Sequence, residues 1–377
     1  MKLSIKRIAV VGAGLMGTGI TYVSAASGYE VIMMDINDEA VGKGMERLRS
    51  YVDSGVKRGK LSDSDAEGLL GRVKTTTSAE AAVSNVDLVI EAVYEDMHVK
   101  KELFKRMDGA ADQRTILASN TSSLSITELG KVTGRPEKVV GMHYFSPVPA
   151  MKLLEIVIGE QTGEDTIGAA MAVGEKQGKT TVRAKDSPGF IVNRIRARLG
   201  RECILTYERG IATLREIDAA LKEVYGVPMG PFELSDFVGL DVSLGTSTTL
   251  YQELGNCFKP PDTLKRLVEA GTLGRKTGSG FYEYGEGKES EPEEPKGADP
   301  EWLTLRIILP YLREAMIEVE EGVATKEDIN KAMILGTNYR EGPFDTIERL
   351  GLDKIREEMK KIHSDFGDCY SLPRMLQ

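Results

Sequence analysis

The chain has 377 residues, 41% of them hydrophobic and 28% charged, with a formal net charge of -9. That length exceeds what one hydrophobic core usually serves and predicts roughly two or three domains. The acidic balance excludes a general binder of nucleic acid or of acidic membrane surface, because either polyanion would be repelled, and no apolar run is long enough to cross a bilayer.

From residue 5 to about residue 186, short β-branched runs alternate with longer amphipathic stretches, the pattern of a parallel sheet covered by helices. Strands are expected near 8–11, 30–34, 88–92, 115–118, 139–145 and 153–158. The opening MKLSIKR, IAVVGAGLMG and VSAASG superficially imitate the basic, apolar and small-residue zones of a secretory signal. A strand, a glycine turn and a helix account for the same residues better.

That turn is a GxGxxG formed by Gly12, Gly14 and Gly17, directly after an apolar strand and ahead of a helical stretch. Gly12 permits the tight turn, Gly14 lets a pyrophosphate approach the backbone, and Gly17 lets helix and strand pack closely. Asp35 ends the next strand, 18 residues after Gly17, where a carboxylate can accept hydrogen bonds from both ribose hydroxyls of an adenosine. It would repel a 2′-phosphate, and no arginine follows in Ile36-Asn37-Asp38, so NAD is expected rather than NADP.

Further on, HYFSPVPAMKLLEI holds His143, one of three histidines, and Glu155 twelve positions later. If the two runs return antiparallel about Pro149, these side chains face each other across a strand pair. The carboxylate would then fix the imidazole tautomer and stabilise the imidazolium, leaving the second nitrogen to exchange a proton with a ligand. A structural histidine in a sheet is the competing reading.

Beyond Ser187 the spacing turns helical, as in FIVNRIRARLGRECILTYERG. Residues 285–301, rich in Glu, Gly and Pro, read as an exposed linker. The segment after this linker repeats the helical segment before it. Gly210-Ile-Ala-Thr213 recurs as Gly322-Val-Ala-Thr325, Gly230-Pro-Phe232 as Gly342-Pro-Phe344, and Gly239-Leu-Asp241 as Gly351-Leu-Asp353, each 112 positions later. The expected organisation is therefore an α/β Rossmann-like NAD-binding domain over 1–186 followed by two tandem all-α domains, 187–284 and 302–377. Cys203, Cys257 and Cys369, odd in number and widely spaced, fit neither a disulfide framework nor a zinc site. A reducing compartment, the cytoplasm, is expected, with no metal.

Five motifs in order, VGAGLMGTGI, ASNTSSLSI, GMHYFSPVPAMKLLEI, DSPGFIVNRI and GRKTGSGFY, make the chain resemble the (S)-3-hydroxyacyl-CoA dehydrogenases nearly end to end. The resemblance implies reversible oxidation of the 3-hydroxyl of an acyl-CoA by NAD. It makes His143 the base, Glu155 its orienting partner, and Ser122 and Asn193 hydrogen-bonding groups for the reacting substrate or the histidine. Glu95, Lys100 and Lys276 correspond to positions that touch the cofactor, Lys100 alternatively CoA. Lys57 and Arg58 fall where the family meets CoA phosphates, although the same cluster fits a solvated helix face. Ser146 stands where the family usually has Asn; a serine can bridge through water, so activity is expected to persist.

The second helical copy carries Leu305 at the position equivalent to Asn193 and has no Rossmann domain of its own, so catalysis is not expected there. It resembles the long family members, and is expected to cover the apolar face of the first copy within one chain, giving a monomer or a homodimer. Two other readings compete: a dehydrogenase of free 3-hydroxyacids, which relies on a catalytic lysine, and an NAD-binding scaffold or redox sensor without turnover.

Overall fold

Apolar, β-branched runs in the first half of the chain become strands because both faces of a helix-covered sheet are buried. The computed structural model describes residues 4–285 and 293–377. Within it Arg7–Val11 (β1), Glu30–Met34 (β2), Val73–Thr76 (β3), Leu88–Glu91 (β4), Ile116–Ser119 (β5), Val139–Tyr144 (β6), Leu153–Ile158 (β7) and Thr180–Lys185 (β8) form one sheet. Its order is β3-β2-β1-β4-β5-β6-β7-β8.

The first six strands are mutually parallel, but β7 pairs antiparallel with β6 and β8 runs with β7. The sheet is thus not wholly parallel, as the alternation alone had suggested. Residues 145–152 are too few for the crossover that a parallel neighbour requires. The two edge strands, β3 (VKTT) and β8 (TTVRAK), fall outside the expected set because threonine, lysine and arginine interrupt their apolar pattern.

Three helices position the site. Leu15–Ala26 (α1) follows β1, Asp38–Lys57 (α2) follows β2, and Met97–Ala110 (α3) follows β4. Asn37 caps α2 by accepting from the Ala40 amide, and Asp38 and Glu39 lie in its first turn, where the helix dipole favours acids. The sheet order reverses between β1 and β4, and open α/β sheets bind their ligands outside the carboxyl ends of strands at such a switch point.

One compact unit ends at Ser187 and a second begins at Pro188. The second unit is helical, and its element bounds repeat at the same 112-residue offset. Val192–Glu208 (α4) ends in register with Pro300–Glu320 (α6), and Leu240–Leu254 (α5) spans the same positions as Leu352–Phe366 (α7). The helices Pro231–Val238 and Pro343–Leu350 correspond likewise. Gly226 and Asn338, again equivalent, are both left-handed.

The contact between the copies is not only apolar. Arg194 pairs with Glu314 at 2.8 Å, and the equivalent residues in exchanged order, Arg306 and Glu202, pair at 2.6 Å. All four are buried. Aromatic rings accompany them: Tyr225 packs edge-on to Tyr311 and Tyr339. The sequence expectation of an apolar face overlooked this reciprocal set of charges.

Equivalence also supplies an internal control. Asp218 accepts from the Phe232 amide at 3.0 Å and the Tyr282 hydroxyl at 2.9 Å, whereas its counterpart Asn330 accepts from the Phe344 amide at 2.8 Å without a charge. Burial pushes the Asp218 carboxyl up to about 6. An unfolded aspartate titrates near ~3.9, so the folded state holds the extra proton between these values and this group's contribution to stability falls as pH rises from about 4 to about 6. Asp218→Asn is expected to remove that slope and to raise stability at pH 7 by ~1 kcal/mol in urea denaturation; an unchanged slope would refute the assignment.

Candidate active site

The glycine turn meets each steric requirement in a different way. Gly12 has φ +111°, and a Cβ there would stand 2.4 Å from the Ala92 carbonyl oxygen. A Cβ on Gly17 would lie 1.7 Å from the Gly12 oxygen, so helix α1 and the turn touch at that point. By contrast, a Cβ on Gly14 would meet no protein atom within 4 Å. Gly14 is also the N-cap of α1 and offers no side-chain acceptor to its first-turn N–H groups. Open space before uncapped amides is what a pyrophosphate needs.

Asp35 lies just beyond β2. Its carboxylate accepts from the Ala13 amide at 2.6 Å and the Ile36 amide at 2.7 Å, tying the end of β2 to the glycine turn. Each carboxylate oxygen has a second lone pair, so these bonds fix the acid's position without exhausting it. The residues present therefore suit a dinucleotide.

A polar network occupies the ends of β4 and β5. Glu91, fully buried, accepts from Lys100 at 2.6 Å, Ser119 at 2.6 Å and the Val93 amide at 2.7 Å. Lys100 reaches from α3, is 1% exposed, and also stands 3.2 Å from Glu95. Its charge is thus committed to two acids. Glu95 in turn accepts from the Thr121 hydroxyl at 2.6 Å and from the Ser122 amide at 2.9 Å and hydroxyl at 3.3 Å. Desolvation pulls the Glu95 carboxyl up, but Lys100, Thr121 and Ser122 outweigh it and hold it below the usual range.

Ser122 and Glu95 are therefore joined by the structure, a link that their separate motifs did not disclose. Glu91, Asn120 and Thr121 were missed. Asn120 and Thr121 lie inside ASNTSSLSI, and the motif was their only signal. Asn120 accepts from the Tyr144 amide at 2.9 Å, coupling the loop after β5 to the end of β6. Ser125, not Ser122, caps the helix Ile126–Gly130.

His143 and Glu155 are direct partners in the β6–β7 ladder, and the register centres on Pro149 as the spacing implied. His143 Nδ1 lies 2.6 Å from a Glu155 carboxylate oxygen; Glu155 is fully buried and the histidine 5% exposed. The Phe145 ring centre is 4.5 Å from the imidazole. A buried carboxylate at this distance favours the imidazole tautomer that carries its proton on Nδ1.

The remaining candidates belong to other elements. Lys57 and Arg58 are exposed at the carboxyl end of α2; Lys57 borders a cavity of about 440 Å³ with Glu46, Arg49 and Asp53. Ser146 is exposed and precedes Pro147 through a cis peptide bond. Asn193 and Lys276 belong to the helical unit: Asn193 is half-buried in the first turn of α4, and Lys276 pairs with Asp241 at 2.5 Å. Among the described residues no cluster of metal-ligating side chains occurs, and no helix is long and apolar enough to cross a membrane.

Comparison with known proteins places these features. Residues 7–187 match the family model described as 3-hydroxyacyl-CoA dehydrogenase, NAD binding domain. Residues 189–284 and 302–377 match its C-terminal domain. The chain belongs to the 3-hydroxyacyl-CoA dehydrogenase family. Among curated relatives, the probable 3-hydroxybutyryl-CoA dehydrogenase of Bacillus subtilis is 42% identical over 285 residues, covering 75% of this chain and 99% of that one. The fatty acid oxidation complex subunit alpha of Idiomarina loihiensis is 34% identical, covering 98% of this chain and 54% of its own length. The crystal structure of 3-hydroxybutyryl-CoA dehydrogenase from Escherichia coli K12 is 28% identical with a TM-score of 0.93, covering 99% of this chain and 98% of that one.

Within this family member the buried Lys100–Glu91 pair carries a specific liability. Replacing Lys100 with Met leaves the Glu91 carboxylate buried with no cation beside it. We expect a loss of ~3–5 kcal/mol in urea denaturation, and partial recovery in the Glu91→Gln/Lys100→Met double variant. Equal stability of wild type and Lys100→Met would show that the pair is not what holds this corner.

Proposed function

We propose that the chain catalyses the reversible NAD-dependent oxidation of (S)-3-hydroxyacyl-CoA to 3-ketoacyl-CoA, with short chains such as 3-hydroxybutyryl-CoA and acetoacetyl-CoA as the substrates. The observation that carries this reading is the 2.6 Å contact between His143 and the buried Glu155 carboxylate, on the same sheet as the glycine turn. Bound NAD supplies the hydride acceptor. His143 takes the hydroxyl proton at Nε2 as C3 is oxidised, and Glu155 stabilises the imidazolium that results. Ser122, held by Glu95, and Asn193 donate hydrogen bonds to the reacting oxygen or the histidine.

Gly12, Gly14 and Gly17 receive the pyrophosphate and Asp35 the adenosine ribose. Glu95 and Lys276 serve the cofactor side, and Lys100 acts there through Glu95, its own head group being committed to carboxylates. Lys57 and Arg58 meet the CoA phosphates. The proposed compartment is the cytoplasm, where both CoA thioesters and NAD are kept. A scaffold or sensor has no use for a buried imidazole–carboxylate pair, which favours turnover.

The test is an absorbance assay at the reduced-nicotinamide band with acetoacetyl-CoA and longer 3-ketoacyl-CoAs, offering NADH and NADPH separately. Turnover with NADH alone supports the reading, and no oxidation with any thioester rejects it. His143→Ala is expected to lower turnover roughly 10²–10⁴-fold with NADH affinity unchanged. Equal loss of nucleotide binding would mark the histidine as structural.

A further inference from the structure

The three cysteines do not behave as their spacing suggested. Cys257 and Cys369 form a disulfide, with Cα atoms 5.2 Å apart and a sequence separation of 112. That separation is the repeat offset, so the two are equivalent residues of the two helical copies. In an assembly related by a two-fold axis, the residue that meets its own counterpart is the one on the axis. The disulfide therefore marks the internal axis relating the copies, and the offset was the sequence signal that the count of cysteines obscured.

Its surroundings are built around that position. Arg198 of α4, 1% exposed, donates to the Cys257 carbonyl and, at 3.0 Å, to the Cys369 carbonyl, so one guanidinium braces both half-cystines. The residue equivalent to Arg198 is Pro310. The substitution leaves one cation where an exact repeat would set two against each other. The third cysteine, Cys203, is buried, and burial pushes its thiol well up, which keeps it out of exchange. Cys257 and Cys369 are only half-buried, within reach of a small reagent.

The disulfide and the linker hold the copies at separate points. Tyr207 in the last turn of α4 donates to Glu293 at 3.0 Å, and Glu216 accepts from the Lys296 and Gly297 amides. Arg198 lies nine residues before Tyr207 on the same helix, roughly 13 Å along its axis at the standard rise.

We propose that Cys257 and Cys369 are a reversible thiol–disulfide site, a covalent clasp between the helical copies that a small dithiol opens and a small disulfide closes, and that sets the stability of the helical unit. In opening, a thiolate of the dithiol attacks one cysteine sulfur. The Cys257–Cys369 bond breaks, and the other cysteine leaves as a thiolate and takes a proton. The second thiol of the reagent then attacks the reagent's own sulfur in the mixed disulfide, and the attacked cysteine leaves as a thiolate and takes a proton. The dithiol ends as a cyclic disulfide, having lost two electrons, and the protein ends with two thiols; a small disulfide reverses the exchange.

The full chain is incubated with glutathione disulfide or with dithiothreitol and freed of reagent, and thiols are counted in denaturant. One thiol after oxidation and three after reduction are expected. The thermal midpoint of the reduced form should fall by roughly 5–10 °C. Cys257→Ser and Cys369→Ser should match the reduced protein and lose all response to dithiothreitol. Three thiols after oxidation, or identical midpoints for the oxidised and reduced wild type, would overturn the proposal; that wild-type comparison decides even if a serine variant fails to fold.

Discussion

A carboxylate with no solvent exposure must have its charge met, and the Glu155–His143 contact is how this fold meets it in the middle of a sheet. The contact exists because β7 turns back on β6 instead of crossing over. Only an antiparallel neighbour at this register sets residues 143 and 155 opposite each other. The reversal of the last two strands is thus tied to the imidazole–carboxylate pair. Were β7 parallel, the sheet would still bury its apolar residues, but the imidazole would lose its orienting partner.

The same economy governs the other acids at the strand ends. Asp35 is fixed by two backbone amides, Glu91 by a lysine, a serine and an amide, and Glu95 by Lys100, Thr121 and Ser122. These donors come largely from neighbouring elements, so the loop after β2 is pinned to the glycine turn after β1, and the loops after β4 and β5 are pinned to each other. A loop held in this way presents its hydroxyls and amides at set positions, and ligand recognition by few polar groups depends on that.

The helical unit solves a different problem by repetition. Two copies meet here within one chain, and the reciprocal Arg194–Glu314 and Arg306–Glu202 pairs are what a two-fold interface produces. Divergence between the copies is legible against that symmetry. Asn330 for Asp218, Pro310 for Arg198 and Leu305 for Asn193 each remove a charge or polar group from one copy only.

The sequence alone determined the glycine turn, the acid after the second strand, six of the strands, the tandem repeat and the His143–Glu155 register, because each rests on local spacing that backbone geometry translates directly. The two edge strands escaped it, since half-exposed threonines and lysines carry no apolar period. Tertiary structure alone decided that Lys100 is enclosed by Glu91 and Glu95, that Ser122 is held by Glu95, and that Cys257 closes on Cys369. Those pairings join residues on different elements, and which element comes to lie beside which is settled by the packing of the whole domain, not by any window of sequence.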